Sequence, residues 1–228
     1  MNNLLTSMRF MVMWIIGNVV SLYASLIMAL IIGLLSTLIA TFFWTTGRAE
    51  PGTMSALLFS LIVYSLIGTM VGLLVGSIQK SLLRQKTDED WQGWIIASIM
   101  GAILAVNVTG FLVGRQLIAL VSTLTLPAKE VLLLMAIQVF LIPFACISMF
   151  QTTILMRYVR GSWAWILGNS VAGIVMFSLI AASFGSGAIA ALTMVGTLLL
   201  LSVVPGIITG FTMIWLIHFN WKNRYPEY

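Results

Sequence analysis

The chain has 228 residues, 61% of them hydrophobic and only 7% charged, with a net charge of +5 and a mean hydropathy of +1.10. Soluble domains carry about 25% charged residues, so a water-soluble globular fold is excluded. The positive balance does not point to nucleic acid, because the bases are confined to the ends of apolar runs, where they orient a chain in a membrane.

Residues 10–44, 53–79, 91–114, 131–156 and 161–221 contain no Asp, Glu, Lys or Arg. Each run exceeds the roughly 18–20 apolar residues that span a bilayer. A β-barrel would instead alternate apolar and polar residues over segments of about ten, and this pattern is absent. The first run follows Arg9 and is far longer than the ~7–15 residues of a cleavable signal core, so it is expected to remain as an anchor. Read as one helix, 10–44 extends about 52 Å at ~1.5 Å per residue against a hydrocarbon core of about 30 Å. It must tilt, kink near Gly33 or Ser36, or project from the membrane.

Gly47, Pro51 and Gly52 mark a turn after this helix. A second span follows at 53–82 and ends in a charged loop at 84–90. The third, 91–113, leads into a longer connection at 114–130 that contains Pro127. The fourth covers 130–157 and closes at Arg160 and Gly161. The run 161–221 is too long for one crossing, and Gly185 and Gly187 divide it into spans at 163–182 and 188–219. The lone Cys146 allows no intrachain disulfide and no cysteine zinc site.

Six spans put Arg9, Lys80, Arg84, Lys86, Arg157, Arg160, Lys222 and Arg224 on one side of the membrane. Arg48, Arg115 and Lys129 fall on the other. The positive-inside rule then places both termini in the cytoplasm. An odd number of spans would separate the termini and spoil the bias.

A five-residue pattern recurs three times: Trp14–Asn18 reads WIIGN, Trp94–Ser98 reads WIIAS and Trp165–Asn169 reads WILGN. Other features accompany it. The segment from Gly76 through Gln79 to Arg84 resembles that from Ser148 through Gln151 to Arg157, and Gly72-xxx-Gly76 resembles Gly206-xxx-Gly210. These features define three tandem helix pairs at about 9–84, 91–157 and 163–221 within one membrane domain. Each pair contains two spans, so all three insert the same way and are related by an axis along the membrane normal. The predicted fold class is therefore an all-α integral membrane protein of six transmembrane helices with pseudo-threefold symmetry.

Tryptophan favours the headgroup level, with its ring half immersed and its N–H in water. One turn later Asn18, Ser98 and Asn169 enter the membrane on the same helix face. Gly17, Ala97 and Gly168 beside them admit a second helix, so the polar group is expected to hydrogen-bond across that contact. Gln79 and Gln151 stand at the matching depth on the even-numbered helices, whereas the third unit has Met213 there. These five polar residues serve either helix packing or a ligand on the pseudo-axis.

On these residues the chain resembles a group of poorly characterised polytopic bacterial membrane proteins. In that group a Gly-xxx-Gly-xx-Gln helix end and a basic turn precede a Trp-[Ile/Leu/Val]-x-[Ala/Gly]-[Ser/Asn] helix start. The resemblance covers most of the chain and implies a fold in a bacterial inner or internal membrane. It implies no established activity.

No Asp or Glu lies in the middle of a span, where ion coupling usually relies on such residues. No phosphate loop, His-Glu-x-x-His site or acyl-transfer constellation occurs, and the chain is expected not to be an enzyme. His218, the only histidine, lies near the cytoplasmic end of the last span. It is a candidate ligand for a metal or a pigment, or simply an interfacial histidine. Two function classes remain. One is a structural or accessory subunit of a larger membrane complex, energy-converting or pigment-bearing, whose partners are lipids and other integral membrane subunits. The other is a small-solute channel or facilitator with a path along the pseudo-axis. Few polar residues are available to line such a path, which favours the first. Lipid or pigment is the cofactor class left open.

Overall fold

A computed structural model describes residues 2–45, 54–123, 128–186 and 194–219. Every element in them is an α-helix: α1 Asn2–Thr45, α2 Met54–Thr87, α3 Trp94–Thr123, α4 Ala128–Tyr158, α5 Trp163–Ser186 and α6 Met194–Phe219. Among the described residues, four segments are long and apolar enough to cross a membrane: Thr6–Ile32, Met54–Thr87, Trp94–Val113 and Leu141–Tyr158. The apolar stretches described in α5 and α6 are shorter, Trp163–Leu179 and Val203–Phe219.

The helices outrun the spans read from sequence. Residues 84–87 belong to α2 rather than to a loop, because Arg, Gln and Lys are good helix formers. The helix stops where Asp88 turns left-handed, at φ 58°, and its N–H reaches back to the Arg84 carbonyl at 2.9 Å. Helix α3 likewise runs through Gly114 and Arg115 to Thr123, which removes most of the predicted 114–130 connection. A single glycine costs a helix only about 1 kcal/mol, and the Arg, Gln and Leu that follow Gly114 are good helix formers. The same reasoning carries α5 past Gly185 to Ser186. The turn at 47–52, Pro127, Gly187, Lys222 and Arg224 lie outside the described residues.

Each helix packs against its neighbours in chain order, and α6 returns to α1, so the six close into a ring. Small residues set these approaches. A Cβ on Gly68, Gly72 or Gly76 would strike α3: the Ala102 carbonyl at 2.8 Å, the Ser98 carbonyl at 2.6 Å and Ser98 Cβ at 2.8 Å. Gly206 and Gly210 bring α6 onto Ile15 and Trp14 of α1. Gly17 faces Ile78 of α2, Gly101 faces Ile147 of α4 and Gly168 faces Thr212 of α6. Gly17, Gly101 and Gly168 on the odd-numbered helices thus serve the following helix, and the glycines on α2 and α6 serve the next helix around the ring, whereas Gly110 of α3 turns back to Tyr64 of α2.

The main core cluster lies at one end of the ring, and every helix contributes to it. Its members include Phe10 and Trp14 of α1, Leu82 and Leu83 of α2, Trp94 of α3, Leu155 of α4, Trp165 of α5, and Met213 and Leu216 of α6. Six bases, Arg9, Lys80, Arg84, Lys86, Arg157 and Arg160, occupy the helix ends and turns around this core.

Candidate functional site: the buried tryptophan–glutamine cluster

The recurring tryptophans do not sit half immersed at a headgroup level. Trp14, Trp94 and Trp165 are all fully buried, at 0% exposure, and they meet one another. The rings of Trp14 and Trp165 are 6.0 Å apart, edge to face, and those of Trp94 and Trp165 are 6.4 Å apart. A ring of this size buries some 150–250 Å², and inside a closed ring of six helices that area fills the centre. Trp94 and Trp165 lie in the first turn of their helices, whereas Trp14 is twelve residues inside α1.

The turns that deliver these residues are locally specified. Gly93, at φ 83°, and Gly161, at φ 68°, adopt a left-handed conformation that a Cβ would oppose. Thr87 organises the first turn: its hydroxyl donates to the Leu83 carbonyl at 2.8 Å and accepts the Trp91 indole N–H at 2.8 Å. Trp91 then stacks on Tyr158 at 4.6 Å. Outside, Lys80 pairs with Asp90 at 3.1 Å. The hydrogen bond and charge of Lys80 hold the Asp90 carboxyl below its ordinary pKa.

Gln151 is the hub of the cluster. Its Nε2 donates to Gln79 Oε1 at 2.8 Å and to Ser98 Oγ at 2.8 Å. Its Oε1 accepts the Trp165 indole N–H at 3.0 Å. Helices α2, α3, α4 and α5 are therefore joined through one amide that is only 1% exposed. Gln79 Nε2 extends the chain to Asn18 Oδ1 on α1, at a long 3.5 Å. The five polar residues behave unequally, however. Ser98 bonds across helices as well as to its own Trp94 carbonyl at 2.9 Å. Asn18 donates to the Trp14 carbonyl at 2.8 Å. Asn169 donates to the Trp165 carbonyl at 2.8 Å, so its recorded bond lies within its own helix rather than across a contact.

The third unit departs where its sequence does. Met213, fully buried, takes the place of a glutamine and cannot act as the amide does. The Trp14 indole N–H goes instead to Thr209 Oγ1 at 3.2 Å, and that hydroxyl donates to the Pro205 carbonyl at 2.8 Å. Pro205 lies inside α6, and the Thr209 hydroxyl bonds back to its carbonyl as a threonine one turn later can. Thr209 was not singled out by sequence reasoning, although it stands one turn before the position of the missing glutamine. The Trp94 indole N–H has no partner among the described residues, although it is buried. The acceptor equivalent to that of Trp165 would be Gln79 Oε1, which Gln151 already engages.

The cluster consists of neutral donors and acceptors that hydrogen-bond to one another. Such a set holds helices in register or grips a small polar ligand, and it contains no acid–base pair. Among the described residues, no three of His, Cys, Asp and Glu come together as a metal site. His218 lies apart from the cluster, exposed near the end of α6 and edge-on to Phe219 at 4.7 Å. No protein-family model, curated protein or solved structure matches this chain.

Proposed function

We propose that the chain is a non-enzymatic structural or accessory subunit of a larger membrane complex. In this reading it crosses a bacterial inner or internal membrane six times, with both termini cytoplasmic. Its three helix pairs, about 9–84, 91–157 and 163–221, surround a pseudo-threefold axis. The closed order of helix contacts and the reuse of glycines within and between pairs support that symmetry.

One observation carries the functional reading: the centre of the ring is occupied. Trp14, Trp94, Trp165 and Met213 are all at 0% exposure, and the polar residues that would have lined a passage spend their hydrogen bonds on one another. A facilitator working along the axis would have to open this plug at every transit. The outward faces supply the other half of the case. Met8, Val12, Ile16, Val20, Ile27, Leu34 and Leu38 form an exposed apolar stripe along α1, suited to lipid and to partner helices. A pigment-bearing variant of this role would draw on His218.

Gentle detergent extraction, native-gel separation and mass spectrometry of the co-migrating proteins test the proposal. Recovery with other integral membrane subunits is expected. Recovery solely as the 25.0 kDa chain or its homo-oligomer, together with solute flux in liposomes, would establish the facilitator instead.

A further inference from the structure

Where the first turns of α1 meet the last turns of α2 and α6, the surface opens into a cavity of about 480 Å³. Small-molecule sites measure roughly 300–1,000 Å³. Its lining divides by chemistry. Phe10, Leu82 and Ile217 are buried and apolar, whereas Arg9 and His218 are exposed and Lys86 is half-buried. No carboxylate is among the described residues that line it.

Lys86 is held in place over this cavity. Its ammonium donates to Ser7 Oγ at 3.2 Å and stands 6.0 Å from the centre of the Phe10 ring. An ammonium carries three donors on a flexible stem, and these contacts hold it beside the cavity. Helix ends do not cancel the charge. The C-termini of α2 and α6 each bring roughly half a negative charge and the N-terminus of α1 roughly half a positive one, a smaller sum than the two formal charges of Arg9 and Lys86.

We propose that this cavity binds the phosphate-bearing headgroup of an acidic membrane lipid. Arg9 and Lys86 engage the phosphate, and the glycerol carbons lie on the Phe10, Leu82 and Ile217 surface. Cationic residues at the end of a membrane bundle meet the anionic leaflet directly, and an apolar floor beneath them suits an amphiphile better than a fully hydrated anion. The inference stands whether the protein is an accessory subunit or a facilitator.

The test offers the purified full chain, in a mild non-ionic detergent, equal amounts of phosphatidylglycerol and phosphatidylcholine with matched acyl chains. Native mass spectrometry reads the lipid retained. Phosphatidylglycerol should be preferred. Arg9→Gln and Lys86→Gln should each lower that preference about fivefold, as the loss of one surface cation implies, while Lys86→Arg preserves it. Arg157→Gln removes a like charge at the same end of the bundle but outside the cavity, and should change nothing. Equal retention of the two lipids, or an effect of Arg157→Gln as large as that of Lys86→Gln, overturns the proposal. Displacement of phosphatidylglycerol by glycerol 3-phosphate or inorganic phosphate at lower concentration assigns the cavity to a soluble anion and overturns it equally.

Discussion

Trp94 and Trp165 occupy equivalent turns of α3 and α5, and both are fully buried. Only Trp165 has an acceptor for its indole N–H. The difference makes the two residues a matched pair for measurement. Replacing either with phenylalanine removes the same ring volume, but Trp165→Phe also strips Gln151 Oε1 of its donor. A buried acceptor left unsatisfied costs about 1–3 kcal/mol, so Trp165→Phe should be the more destabilising by that margin. Reversible unfolding in mixed micelles checks this, and equal losses would show that the Gln151 bond contributes nothing. The Lys80–Asp90 pair predicts a pH effect. The folded-state pKa of Asp90 is lowered by its hydrogen bond to Lys80 and then by the lysine charge. Its stabilisation is therefore present in full above the unfolded carboxylate pKa of about 3.9 and is lost as pH falls through the lower folded value. Asp90→Asn should reduce the unfolding midpoint slightly at neutral pH and match the wild type once both are fully acidified. A pH-independent difference would refute the assignment.

Helix α2 meets α3 through Gly68, Gly72 and Gly76, and the approach is close enough that backbone touches backbone. A Cβ at Gly72 would lie 2.6 Å from the Ser98 carbonyl and 2.7 Å from the Ile99 nitrogen, neither of which can move without the whole helix. At Gly110 the Cβ would instead meet the Tyr64 ring, at 2.6 Å, and a side chain can turn aside. Gly72→Ala is therefore expected to cost at least the ~1–3 kcal/mol typical of overpacking, with Gly110→Ala milder; comparable melting shifts would argue that α2 and α3 pack more loosely. The Gly72-xxx-Gly76 spacing was visible in the sequence, but its partner was not, because apolar runs of similar composition give no register. Helix ends were legible only where chemistry enforces them. Gly161 closes the turn after α4, yet Gly114 and Gly185 do not break α3 or α5, since one glycine costs a helix only about 1 kcal/mol.

At the scale of the molecule, the same motif explains both what the sequence revealed and what it concealed. The recurrence of Trp, small residue and polar residue predicts helix starts that come together, but tryptophan carries two strong tendencies: to sit at headgroups and to fill a core. A single chain without its neighbours does not decide between them. Ring closure does, because α6 returning to α1 creates an interior for three indoles. Closure also gathers Arg9, Lys80, Arg84, Lys86, Arg157 and Arg160 around one end of the bundle, the end that the positive-inside rule would assign to the cytoplasm. This arrangement predicts a topology. In a Cys146→Ala background, Arg160→Cys should react with a membrane-impermeant maleimide only in inverted vesicles. Arg48→Cys, in the connection outside the described residues, should react only in intact cells whose outer barrier has been permeabilised. The two positions are separated by three predicted crossings, so an even number of spans between them would place both labels on one side. Same-sided labelling would overturn the six-span arrangement. Reversed labelling would keep the spans but invert the protein, moving the basic cavity to the opposite leaflet.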